Sequence, residues 1–350
     1  MSFNNNSSNI KILKLSPILT EEETNKLEGH KVPSRHYKYI IDYDADVYSI
    51  GENGNADKLL CKFRKNVIPN AKCVRVFKIL QTHANKPNYN RGAAAGILDD
   101  KKLPKFIRTS KIIKRDRFRV FYKDADGVVK KSNIGNIAFS SILGYYDRPD
   151  RSKYRGKSMN SRKKMPLCRV TKFTESYPKE WELIVDLIKT IDKQFKKLIP
   201  DRHKLQHDMA SKTPDYQIAN TAFSTITVNY NWQTAGHRDA GDFDAGFGNL
   251  IVIELYKCST MKDIRTQNIT NYAGGMTGFP RWGVAFDVRQ GDFLAMDVHQ
   301  LHCNTELTPV EWNFKYDDKL IEGKMPQFGR LSVVSYLRKK MAKCGAGGGS

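Results

Sequence analysis

STITVNYNWQTAGHRDAGDFDAGFGNLIVIELY, residues 224–256, is the stretch on which the reading of this chain turns. It opens with a β-rich run, Ser224 to Tyr230, and closes with another, Asn249 to Tyr256, both dominated by Ile, Val, Thr and Tyr. Between them stands His237-Arg238-Asp239. In an extended segment His237 and Asp239 project from one face, because side chains along a strand repeat every two residues. Such a pair alone occurs by chance in many polar loops, and the order of the residues downstream gives it weight. Gly291-Asp292 opens a strand-like run, Phe293 to Val298, that leads to His299 and His302, and Arg330 to Leu337 forms a last one. Two imidazoles and one carboxylate cover one face of an octahedral ion and leave the other open, the layout that holds non-haem Fe(II). Arg330 and Ser332 also share a face when extended, and a guanidinium fork is a natural clamp for the carboxylate of an acidic co-substrate.

Working outward, strands continue to dominate the second half, with Trp282 to Val288 running into the turn Arg289-Gln290-Gly291-Asp292. Ahead of them lies the clearest helix, Lys179 to Ile199, in which Trp181, Ile184, Leu187, Ile188, Ile191, Phe195 and Leu198 recur at helical spacing and Pro200 ends the run. That stripe is core rather than a cofactor box, and His203 and His207 read as surface residues beyond it. Ser16 to Gly29 reads as a short helix, with Thr20 as N-cap, Glu23 completing a capping box and Gly29 closing it. Tyr37 to Ile50 fits one or two strands. Asp126-Gly127, within Phe118 to Ser132, marks a hairpin, and Asp147 to Met165 reads as an exposed loop. Strands joined by loops and preceded by a long helix suggest an α+β, β-rich fold: a β-sandwich or jelly-roll core with helical support.

The chain has 350 residues and a net charge of +22. Residues 101–170 hold 21 Lys/Arg against 5 Asp/Glu, most of that excess. A solvated basic surface is the plain explanation. The sharper one is a polyanion-binding face, since Phe106, Phe118, Phe121, Tyr122, Tyr145, Tyr146 and Tyr154 are interleaved there and flat rings beside cations suit nucleic acid. Most of those rings serve equally well as core. Six scattered cysteines show no CxxC and imply neither a zinc cluster nor a disulfide framework. A reducing, intracellular compartment suits those cysteines, no apolar run reaches the ~20 residues of a membrane span and no signal peptide opens the chain; an intracellular, non-secreted protein is expected, and a monomer. Asn4 to Asn9 reads as a frayed terminus and the final GAGGGS, residues 345–350, as an engineered linker remnant. The organisation expected is a basic region over 1–165, packed on or integral to a catalytic core over 166–344.

The order HxD, distal histidine, RxS resembles the Fe(II)/2-oxoglutarate dioxygenases built on a double-stranded β-helix, a jelly-roll or cupin-like core. The local wording is more specific. NRGAAAGILD (90–99), GYYDRPDRSKY (144–154), NYNWQTAGHRDAGDFDAGFGNL (229–250) and GDFLAMDVHQLHCNTEL (291–307) look like the TET/JBP family, over roughly residues 85–340. The resemblance implies Fe(II) as metal, 2-oxoglutarate and O2 as co-substrates, and hydroxylation of the 5-methyl group of 5-methylcytosine or thymine in DNA. It implies His237, Asp239 and His302 as metal ligands, Arg330 with Ser332 at the distal carboxylate of 2-oxoglutarate, and Asn229 at its other end. His299, three residues before His302, competes for the ligand role but faces the opposite side of a regular strand. Arg91 in the NRGAAAG loop reads equally as a contact to co-substrate or phosphate and as part of an ordinary turn. Asp242 either shapes the base pocket or caps a turn.

Two features depart from the family pattern. Gln233 stands where a basic residue often precedes the HxD histidine, and a charged insertion, Glu311 to Gln327, separates His302 from Arg330. A methyl on C5 lies in the major groove of a duplex, so an enclosed site requires a flipped or single-stranded nucleotide, with the 101–170 region gripping the flanking phosphates. A hydroxylase of a protein side chain or free nucleotide on the same fold, and a non-catalytic nucleic-acid-binding module, are the alternatives.

Overall fold

A computed structural model of the chain describes residues 10–51, 56–123, 127, 129–149, 158, 161, 166–255, 271–310 and 329–344. The Asn4–Asn9 stretch, most of the 147–165 loop, the 311–327 insertion and the 345–350 tail fall outside those residues.

One large sheet organises the protein. Its path runs Lys11–Leu15, Ala45–Ser49, Lys58–Arg64, Phe293–Met296, Gly248–Glu254, Arg330–Tyr336, Thr225–Tyr230, Ala138–Tyr146 and Arg169–Val170, and Pro87–Asn88 joins as a tenth strand beside Ala138–Tyr146. Only the Lys11–Leu15/Ala45–Ser49 pair is parallel. A four-stranded sheet, Cys303–Asn304, Thr277–Phe279, Val284–Phe286 and Tyr39–Ile41, lies against it. The β-rich α+β class expected from the sequence is present, but the double-stranded β-helix, or jelly roll, is not. Among the described residues no sheet closes on itself, and the large sheet runs from one edge strand to the other without returning. The reason lies in the first 64 residues. Three strands from them prolong the sheet beyond Phe293–Met296, so that the strand set of residues 225–336 is an interior section of a longer open sheet.

Period-two alternation gives the sheet two different faces. Ile226, Val228, Ile251, Ile253, Phe293, Ala295, Leu331 and Val333 turn toward two helices, Asn70–Ala84 and Pro178–Leu198. The long helix inserts Ile184, Leu187, Ile188, Ile191 and Phe195, each fully buried, as its spacing predicts. At roughly 1.5–3 kcal/mol for each large apolar side chain removed from water, this face is the main source of stability. On the opposite face Leu250, Val252, Leu294 and Met296 meet Phe279, Trp282, Val284 and Phe286 of the smaller sheet. Thr227, Asn229, Ser332, Val334 and Tyr336 share this second face and line a cavity instead of a packed core.

Pro200 ends the long helix but also begins another. The chain breaks at Ile199 and resumes as Pro200–Ala210, with proline at the first helical position, where its missing N–H costs nothing. His203 therefore lies on a helix and is buried, its Nε2 3.0 Å from Asp192 Oδ1, contrary to the surface position expected. The Thr20 capping box forms as expected, over the helix Glu21–Lys26. Val120–Lys123 pairs with Val129–Ile134 across the expected hairpin, and Ile112–Arg115 adds a third strand. One cysteine pair exists despite the irregular spacing: Cys168 and Cys344 form a disulfide, with Cα atoms 5.8 Å apart. No helix among the described residues is long and apolar enough to cross a membrane.

Candidate metal centre and its cavity

His237 and His302 come from segments 65 positions apart and meet as an isolated antiparallel bridge between the two sheets. Their ring centroids are 4.4 Å apart. Asp239 follows on the same face as His237, its Oδ2 3.7 Å from His302 Nε2. One ligand atom from each of the three lies within 4.8 Å of the others. His237 Nδ1 is 2.8 Å from the Ala235 carbonyl and His302 Nδ1 is 3.0 Å from the Gln300 carbonyl. A carbonyl only accepts, so both Nδ1 atoms carry the proton and both Nε2 lone pairs are left for a metal. Burial, and then the neighbouring His302, push the His237 imidazole down to about 4, which keeps it a neutral ligand. Burial alone would raise the Asp239 carboxyl, but His237, His302, Arg91 and Arg338 outweigh it and hold its pKa below the usual carboxylate value. Two imidazole nitrogens and one carboxylate are the donor set that suits a divalent first-row metal, and the residues present fit Fe(II).

The three side chains open onto a cavity of about 240 Å³. Asn229, Ser332 and Arg91 line it as well. Asn229 Nδ2 donates to Ser332 Oγ at 3.2 Å, while Asn229 Oδ1 and Arg91 Nε are buried without a hydrogen-bond partner. Arg91 also lies over the Trp232 ring, 5.6 Å from its centroid. Arg330 shares the face of Ser332 but does not line the cavity. It sits deeper along the strand, where Nη2 donates to the Gly275 carbonyl at 2.8 Å and Nε is buried without a partner. The orphaned buried Nε–H donors of Arg91 and Arg330 fit an anionic ligand, since such atoms are costly unless something pairs with them, while the orphaned Asn229 Oδ1 is an acceptor and calls for a donor. His299 stays out of the cavity, with Nε2 3.2 Å from the Phe243 carbonyl. Gln233 is engaged with the backbone, donating to the Asn304 carbonyl at 3.2 Å.

Asp242 lines the cavity, and burial followed by repulsion from Asp239 pushes its carboxyl well above the usual range. Sequence reasoning passed over Arg338, Tyr336 and Asn304, which line the same cavity, as does Tyr146, one of the rings singled out in the basic region. A signal for two of them existed, because Arg330, Ser332, Val334, Tyr336 and Arg338 continue one alternation.

Two histidines and a carboxylate converging on one buried cavity define a mononuclear metal site of the two-histidine, one-carboxylate class. The chain belongs to the TET/JBP family: the oxygenase domain of the 2OGFeDO superfamily matches residues 152–339. Thymine dioxygenase JBP1 of Trypanosoma brucei brucei is 30% identical over 260 residues, covering 72% of this chain and 25% of that protein. The bifunctional helicase and thymine dioxygenase JBP2 of Leishmania major is 32% identical over 213 residues, covering 59% of this chain and 15% of that protein. This chain thus spans a quarter or less of the length of these relatives. Among solved structures, NgTET1 in complex with 5mC DNA aligns over 96% of this chain and 85% of its own, with TM-score 0.48 and 11% identity.

Proposed function

We propose that the protein is an Fe(II)/2-oxoglutarate-dependent dioxygenase that hydroxylates the 5-methyl group of a pyrimidine, 5-methylcytosine or thymine, in DNA. The observation that carries the reading is the pair of histidines with Nδ1 tied to backbone carbonyls and Nε2 converging with the Asp239 carboxylate. Family membership and the thymine dioxygenase relatives support the substrate class.

In this reading His237, Asp239 and His302 hold Fe(II), which with 2-oxoglutarate and O2 supplies the oxidising power to break a methyl C–H bond. Ser332 and Asn229 orient the co-substrate within the cavity, Arg330 adds positive charge to its distal carboxylate from deeper along the strand, outside the cavity lining, and Arg91 completes the polar wall. The flanking Val334, Leu250 and Met296 exclude water. No side chain here has to move a proton for the methyl to react. The target base must leave its stack to reach a site enclosed between two sheets. Residues 166–344 form the catalytic core, with residues 1–165 integral to it because they supply strands of the same sheet and the Arg91 loop.

The test is mass spectrometry of nucleosides from DNA incubated with the protein, Fe(II), 2-oxoglutarate and ascorbate. One substrate carries 5-methylcytosine, a second only thymine, and His237→Ala is the control. A hydroxymethyl product absent from the control establishes the activity and names the base. Iron-loaded protein that oxidises neither base refutes the reading.

A further inference from the structure

Three arginines from separate parts of the chain converge on one aromatic ring at the rim of the cavity. Tyr146 ends the strand Ala138–Tyr146 and lines the cavity. The guanidinium carbons of Arg148, Arg169 and Arg338 lie 5.6, 5.8 and 5.6 Å from its ring centroid. Arg169 arrives by pairing directly opposite Tyr146 in the sheet, and Arg338 follows the last strand, Arg330–Tyr336. Gly241 makes room for Arg338, since a Cβ there would lie 2.5 Å from Nη1 and 2.7 Å from Cζ.

Collecting three like charges around one neutral ring is unfavourable unless something answers them. Cation–π contacts at an exposed site are individually weak. Two carboxylates address Arg338: its Nε lies 3.3 Å from Asp147 Oδ1 and its Nη1 lies 3.5 Å from Asp242 Oδ1. Arg148 is exposed, and among the described residues no carboxylate answers its charge at the mouth of the cavity. Arg148 and Arg338 line the same cavity as the metal-binding triad.

We propose that Arg148, Arg169 and Arg338, arrayed around Tyr146, form a phosphate subsite that holds the phosphate adjoining the target pyrimidine and so sets where the nucleotide enters the cavity. Guanidinium forks match phosphate oxygens bidentately, which a lysine cluster does not. The inference rests on the reading that the cavity takes a pyrimidine nucleotide. The same chemistry suits an internal phosphodiester of a strand or the terminal phosphate of a free nucleotide, and the structure favours the strand because the cluster is open to solvent at Arg148.

The test is fluorescence anisotropy with the full chain, Fe(II) and 2-oxoglutarate under nitrogen, so that binding proceeds without turnover. Labelled single strands carry one thymine or one 5-methylcytosine, and each flanking phosphate in turn is replaced by a neutral methylphosphonate. One position is expected to weaken binding about tenfold, as loss of a charge-assisted contact should. Arg148→Gln should weaken binding of the unmodified strand by a similar factor and abolish the extra loss at that position, and Arg148→Lys should restore part of it. Arg148 is exposed, so these variants leave the buried Arg338 pairs intact. A nucleoside 5′-monophosphate that outcompetes its nucleoside in the wild type but not in Arg148→Gln assigns the subsite to the free nucleotide. Equal losses at every position in both proteins, with no advantage for the monophosphate, overturn the proposal. Admitting air and analysing nucleosides separates the two readings: product without coupling to Arg148 defeats the subsite alone, and coupling without product defeats the dioxygenase reading alone.

Discussion

His237 and His302 donate their backbone N–H groups to each other's carbonyls, both at 3.0 Å, so the two imidazoles are spaced by main chain rather than by side-chain packing. The same main chain fixes their tautomers through the Ala235 and Gln300 carbonyls. A ligand held this rigidly is pre-organised for its metal. We therefore expect His237→Ala and His302→Ala each to weaken Fe(II) binding by more than about 100-fold, beyond the 10–100-fold typical of outer-shell changes. Anaerobic Fe(II) titration followed by calorimetry checks this. Retention of wild-type affinity by either variant would remove that histidine from the ligand set.

The depressed His237 titration makes a stability prediction for the metal-free protein. Its imidazole protonates at about 4 in the folded chain, against roughly 6.5 in the unfolded one. Between those values the unfolded chain binds a proton that the folded chain refuses, so stability is lost as pH falls from about 6.5 toward about 4 and is fully present above that window. The contribution is on the order of 3 kcal/mol. Urea unfolding at pH 7 and pH 4.5 should show the loss in the parent chain and a smaller one in His237→Gln. Equal pH sensitivity in both would contradict the assignment.

Local periodicity made much of this legible, and long-range partnership the rest. The alternation through Arg330 and Ser332 and the stripe Ile184–Phe195 are properties of a few neighbouring residues, and the structure places both as their spacing dictates. The closure of the sheet was not legible, because the way Lys11–Leu15, Ala45–Ser49 and Lys58–Arg64 prolong it depends on pairings with residues more than 200 positions away. Pro200 was ambiguous for a different reason: it is as good a helix start as a helix stop. His203 then follows the new helix into the core. Arg338 was legible only in part: it continues the alternation of Arg330, Ser332, Val334 and Tyr336, but it lies past the end of the last strand, where that period need not hold.

Phe195 offers a test of the helical layer. It is fully buried in the long helix and stacks on Phe223 with ring centroids 6.1 Å apart and planes 16° from parallel. Phe195→Ala removes that ring and leaves a cavity that a helix held against the sheet can only partly close. A loss of about 3–5 kcal/mol in urea unfolding is expected, with Fe(II) affinity little changed because the metal ligands lie on the other face of the sheet. A loss below about 1 kcal/mol would mean that the helix is not seated as described.

Gly275 tests the assignment of Arg330 to 2-oxoglutarate without removing the arginine. Its φ is +69°, and a Cβ there would lie 3.0 Å from Arg330 Nε and 2.6 Å from Leu307 Cδ2. Gly275→Ala should therefore push the guanidinium out of place as well as strain the backbone. We expect about a tenfold rise in the 2-oxoglutarate dissociation constant, read from the charge-transfer absorbance of the anaerobic Fe(II) complex, with Fe(II) affinity unchanged. An unchanged 2-oxoglutarate affinity in a folded variant would place the carboxylate elsewhere, at Arg91 or Asn229.

The basic region before the core carries the last prediction. Ile112–Arg115, Val120–Lys123 and Val129–Ile134 form a small sheet over its own core of Leu103, Ile107, Val120 and Ile134. Several arginines there are already answered, as Arg115 is by Asp100 and Arg119 by Asp116. Lys111, Lys114 and Lys123 are exposed and in no salt bridge among the described residues. If this sheet grips the phosphates that flank the target, reversing those three charges should weaken DNA binding by a similar factor for every sequence, since phosphate contacts position without specifying. The slope of log affinity against log salt should fall by about 0.7–0.9 for each phosphate no longer neutralised. Hydroxylation of a free nucleoside should be unaffected, because none of the three lines the cavity. An unchanged salt slope in the triple variant would make this sheet a solvated face and leave the grip on DNA to cations elsewhere.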